Sequence, residues 1–224
     1  MRRSRTGLIA VAALLASAGI GNTSAPARAQ DLPMKVKGGH ELGETAEQFF
    51  AEGHEKDLFS ECASGDFKAL NKQTKRLAKA YCAELTDTRE KATSGKRTEY
   101  KIAGDTTELK KETFTFDGGH LVRVAVAYVT PNPESNNKGR SFEEIFDGVK
   151  DTYGPPTSES TQTIQSAYSL QQILHRAAWI APHVAVLVVE QAPPEASIVV
   201  TACTRTEYDR MGTEGKPKIG NPIE

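Results

Sequence analysis

The stretch from Thr113 to Val129 constrains the fold more than any other part of the sequence. Thr113-Phe114-Thr115-Phe116 alternates polar and apolar residues, and Asp117-Gly118-Gly119 supplies a turn able to take positive φ. Leu121 to Val129 then returns as a long strand, with Val122, Val124, Val126 and Tyr128 on one face and Leu121, Arg123, Ala125 and Ala127 on the other. Tyr100-Lys101-Ile102, before Gly104, reads as a further strand. Val184–Val189 and Ala196–Thr204, joined across Pro193-Pro194, read as a final buried hairpin.

Helical signals flank these strands. Thr45 followed by Gln48 is a capping box, so residues 45–53 are expected to form a short amphipathic helix ended by Gly53. A second helix is expected near 67–79, and the charged segment Asp87–Lys96 reads as a loop. Ser141 with Glu144 is a second capping box. Behind it Phe142, Ile145, Phe146, Val149 and Tyr153 form an apolar stripe that Gly154-Pro155-Pro156 ends. Residues 161–181 stay open between two readings: Leu170, Ile173, Leu174 and Ala177 fit helical spacing, whereas Trp179 and Ile180 fit a strand.

Helices followed by runs of strands, with no glycine-rich strand-to-helix turn, predict an α+β fold of short helices packed on an antiparallel sheet. The capped helices at 45 and 141 suggest two similar helix-plus-strands halves, 40–130 and 140–208, separated by the loop 131–139. Residues 30–39 read as a flexible arm and 209–224 as a disordered tail.

The N-terminus reads as a secretory signal peptide over residues 1–29. Arg2, Arg3 and Arg5 precede an apolar stretch from Leu8 to Ile20, and Ala27-Arg28-Ala29 matches a cleavage site. The apolar stretch is too short to span a bilayer, and no cysteine near the cleavage point offers a lipid anchor. The whole chain has 224 residues and a net charge of −1. Without the segment's four arginines the balance is 24 basic against 29 acidic residues, a mildly acidic chain of net −5. That balance argues against nucleic-acid binding, which calls for clustered basic residues. The chain is expected to be exported, periplasmic or extracellular, with no membrane span.

An oxidising compartment lets two of Cys62, Cys82 and Cys203 pair. Cys62–Cys82 is the preferred bridge. A straight helix through 67–81 would hold them roughly 25 Å apart at about 1.5 Å per residue, beyond disulfide reach. The bridge therefore requires that helix to be short, with Tyr81–Leu85 folding back as a strand. Cys203, within Ile198-Val199-Val200-Thr201-Ala202-Cys203, reads as a buried free thiol.

Catalytic and metal signatures are absent from the sequence. His40-Glu41-Leu42-Gly43-Glu44 begins like a zinc-peptidase motif but has Glu44 where the second histidine belongs. His54, His120, His175 and His183 show no ligand spacing, although His175 and His183 flank Trp179. Glu143/Glu144 and Glu47/Glu52 read as solvated helix faces, and no nucleophile elbow or phosphate loop occurs. No catalytic residue, metal or cofactor is assigned. Trp179 and Tyr168 read either as core residues or as partner-facing anchors of an interface.

Three segments together resemble a known group: Tyr100–Gly104, then Phe114–Val124 through the Gly-Gly turn, then the helix end Tyr153-Gly154-Pro155-Pro156-Thr157. The set resembles small exported bacterial proteins of the β-lactamase-inhibitor-protein type. It is also similar to the lipoprotein subunit of the outer-membrane β-barrel assembly machine, and Leu42-Gly43-Glu44-Thr45 looks like the helix entry of both. The resemblance implies a helical layer on an antiparallel sheet and a function of protein–protein contact, with no inhibitory residue carried over. The expected function is thus a non-enzymatic interaction module for another exported or envelope protein. The alternative is a periplasmic binder of a small molecule or envelope ligand.

Overall fold

A computed structural model describes residues 36, 39–65, 67, 70–104, 108–131, 139–165, 171–192 and 197–214. Residues 1–29, expected as a signal peptide, most of the expected 30–39 arm, most of the 131–139 segment and the residues beyond Glu214 lie outside the described residues. The fold is α+β. Its helices are α1 (Ala46–Ala51), α2 (Gly53–Ser64), α3 (Lys72–Thr93), α4 (Phe142–Tyr153) and α5 (Arg205–Glu214). Its strands are β1 (Thr98–Ala103), β2 (Leu109–Asp117), β3 (His120–Val129), β4 (Ser158–Gln165), β5 (Gln171–Ile180), β6 (Val184–Gln191) and β7 (Ser197–Thr204).

All seven strands form one antiparallel sheet in the order β1-β2-β3-β7-β6-β5-β4. Two consecutive meanders therefore meet where β3 pairs β7. The β2–β3 turn carries the expected backbone, with Gly118 at φ 59° and Gly119 at φ 83°. Such values suit glycine, because a Cβ disfavours the left-handed region. Register places Tyr100, Phe114, Val124, Ala202, Val186 and Trp179 across one face. On that face they meet Phe49 and Phe50 of α1 and Ile145 and Val149 of α4 in the main core. Both capping boxes form as expected, at Thr45/Gln48 and Ser141/Glu144.

Several local expectations are corrected, and one left open is decided. Gly53 does not end the helical region; it opens α2 directly after the short α1. Residues 81–85 do not fold back as a strand and 87–93 are not a loop, since both belong to α3. Of residues 161–181, left open between helix and strand, 161–165 belong to β4 and 171–180 to β5, whose ladders with β4 and β6 outweigh the helical spacing of its apolar residues. Residues 209–214, read as part of the tail, complete α5, while Val36 of the expected arm is buried in the core.

Cys62 and Cys82 are bonded. The reason differs from the one expected: they sit on separate helices, α2 and α3, and the chain reverses between Gly65 and Asn71. Cys203 is free and buried.

Candidate functional site

The sheet's second face is divided in two. α5 covers the β5–β6–β7 part, where Tyr208 and Met211 pack on Ala178, Ala185, Leu187 and Cys203. Burial pushes the Cys203 thiol up to about 12, so it stays protonated and serves packing. α5 is tied down by Glu207, only 3% exposed. Its carboxylate accepts from Arg97 at 2.7 Å and from Arg210 at 2.8 Å, with Arg123 Nη1 at 3.7 Å. Burial alone would raise this carboxyl, but the hydrogen bonds and charges of Arg210 and Arg97 outweigh it and hold it at about 2.

The other part of this face, over β1, β2, β3 and β7, is an open depression of about 400 Å³. Thr113, Ala125, Ala127, Val199 and Thr201 make a floor of small side chains; Glu99, Lys101, Lys111 and Arg123 edge it. The edge is ordered by ion pairs, Arg123 to Glu99 at 2.8 Å and Lys101 to Glu99 at 3.0 Å. Burial by itself would raise the Glu99 carboxyl, yet the Lys101 and Arg123 charges lower it, keeping it ionised.

A second groove, of about 550 Å³, lies on the helical side between α4, β4 and β5. Phe142 stacks on Phe146 at 5.7 Å between centroids, and His175 lies against Phe142 at 5.1 Å. Glu143, Asp147 and Glu159 line the same groove.

A third cluster is buried among aromatic rings. His40, 4% exposed, stacks on Phe49 with centroids 4.0 Å apart. Its Nδ1 is 2.7 Å from Glu44 Oε1 and its Nε2 is 3.4 Å from Glu55 Oε2. The short Glu44 contact is an ion pair without hydrogen-bond alignment, since Glu44 Oε1 has no hydrogen-bond partner. Burial alone would lower the imidazole, but the Glu55 hydrogen bond and the two carboxylate charges raise it overall. Glu44 is itself raised, chiefly by burial. The cluster lies between the entry to α1 and α2, walled by Phe49 and Phe114. Sequence reading compared His40 with a zinc motif and missed Glu55, whose role comes from a helix that the reading did not contain.

No protein-family model, curated protein or solved structure matches the chain.

The remaining expected residues fall as follows. Trp179 is not partner-facing: it is 3% exposed and its indole N–H donates to the Gly154 carbonyl at 2.8 Å. Tyr168 lies outside the described residues. His175 and His183 do not meet, because His175 joins the α4 groove and His183 lies in the turn beyond β5. His120 is exposed, and its Nδ1–H donates to the Gly43 carbonyl at 2.9 Å. Among the described residues no group of His, Cys, Asp and Glu has metal-ligating geometry. No helix among them is long and apolar enough to cross a membrane.

Proposed function

We propose that this chain is an exported, non-enzymatic module that binds another exported or envelope protein through the open half of its sheet. The observation that carries this reading is the depression over β1–β3 and β7, floored by small side chains and edged by both signs of charge. A floor of small side chains, Ala125, Ala127 and Val199 between Thr113 and Thr201, within a charged rim suits a protein surface, where a desolvated centre supplies energy and rim charges supply register. The resemblance to the inhibitor and assembly-lipoprotein groups supports the same use. The Cys62–Cys82 disulfide between α2 and α3 and the signal-like N-terminus support export.

The test is capture from envelope extract with the wild-type protein and with Ala125→Arg, a substitution in the floor opposite Thr201. A specific protein retained by the wild type and lost by the folded variant is the expected outcome. Equal retention by both, or no retained protein, contradicts the proposal. A ligand-binding reading is favoured by one observation, the volume of the α4 groove, which lies in the small-molecule range. Thermal-shift measurement with envelope metabolites separates it, since a ligand of the native state raises the melting temperature.

A further inference from the structure

The free edge of the sheet at β4 and the groove beside it form a second surface, distinct from the sheet-face depression. β4 is the last strand of the sheet, and no described element pairs with its outer edge. Its residues Ser158 to Thr163 are exposed, and Ser158-Glu159-Ser160-Thr161-Gln162-Thr163 contains neither lysine nor proline. Those are the residues that commonly blunt a sheet edge. The β4–β5 ribbon also outruns the sheet: β5 pairs with β6 only from Arg176 to Ile180, so Gln171–His175 pair with β4 alone.

Register puts Glu159 opposite Ala177 and Thr161 opposite His175, on the face that looks toward α4. There Glu159 joins Glu143 and Asp147 around the Phe142–His175 ring pair. Among the described residues none of these three carboxylates forms an ion pair, whereas Arg176 is the groove's single cationic lining residue. Lys150 already lies over one side of Phe146, at 5.7 Å from its centroid, which shows the ring pair accepting a cation.

We infer that an extended segment of a partner protein adds to the outer edge of β4 and places a lysine or arginine side chain in the α4 groove. Backbone hydrogen bonds to β4 supply pairing, as in other strand-addition complexes. Alternate side chains of the added strand fall on the α4 side beside Glu159, where the carboxylates and aromatic faces complement a positive charge. An acidic or apolar segment gains the edge but not the groove.

The probe is a fluorescent seven-residue peptide of alternating threonine and lysine, titrated into the full mature chain. Controls are the glutamate counterpart, an N-methylated lysine peptide and butylamine. Amide chemical shifts locate the contact. The lysine peptide is expected to shift β4 and α4 amides and to bind at least about tenfold more tightly than the glutamate peptide. N-methylation, which removes backbone donors, and the combined E143Q, D147N and E159Q substitutions are each expected to weaken binding by about tenfold or more. Equal affinity for both charges, shifts confined to β1 or the sheet-face depression, or butylamine binding as tightly as the peptide overturns the inference. Self-association through β4 in place of peptide binding also overturns it. Loss of sheet-face capture with this peptide response intact contradicts the proposed function and leaves this site standing.

Discussion

At the residue scale, two buried charged groups hold opposite consequences for stability. Glu207 has a lowered folded value, about 2 against an ordinary 4.5. Its contribution is therefore present above pH 4.5 and is lost as pH falls toward 2. Glu207→Gln leaves Arg97 and Arg210 without their shared carboxylate, and is expected to cost about 2 kcal/mol at pH 7 by urea denaturation. The variant should also lose part of the acid sensitivity between those pH values; an unchanged acid profile contradicts the assignment. His40 runs the other way. Its folded value is raised above 6.5, so its contribution is present below that pH and fades as pH rises through the folded value. Glu44, also raised, adds to the decline at lower pH as its buried carboxyl ionises. Denaturation midpoints of the wild type should fall on going from pH 6 to pH 8, and His40→Gln should flatten that slope.

At the element scale, the bridge between α2 and α3 closes a loop of sequence separation 20. Its removal in Cys62→Ser with Cys82→Ser is expected to cost about 3 kcal/mol, read as a shift of the denaturant midpoint. A shift no larger than that of Cys203→Ser contradicts a structural role for the bridge. The elements that sequence made legible carry their signals locally. α1 and α4 are announced by capping boxes, α4 also by a wide apolar stripe, and the β2–β3 hairpin by its Gly-Gly turn. α3 is legible only in its first half, expected near 67–79 and capped by Asn71, and α5 lacks such signals. α3 buries only Leu85, Thr88 and Ala92 along 22 residues, so its charged last turns, including the Asp87–Lys91 pair, read as loop. α5 is mostly polar and owes its place to Glu207 meeting Arg97, a contact 110 residues away that no local pattern displays. The core reading of Trp179 was legible, but its hydrogen-bond partner, a backbone carbonyl at the end of α4, was not.

At the scale of the whole molecule, the sheet is a shared wall. Four helices bury one face and α5 buries part of the other, which leaves the β1–β3 and β7 region as the broad strand surface without a described cover. Fold class was readable from the order of helices and strands, whereas this surface was not, since it depends on β3 meeting β7 across the two meanders. The most direct test places a photo-crosslinking side chain at Thr201, in the floor, and at Leu77, exposed on α3, in cells that produce the protein. One discrete protein adduct from position 201, absent from position 77 and abolished by Ala125→Arg, is the predicted result. Adducts from position 77 alone, or an adduct at 201 that survives Ala125→Arg, contradict the assignment of the sheet face as the binding surface.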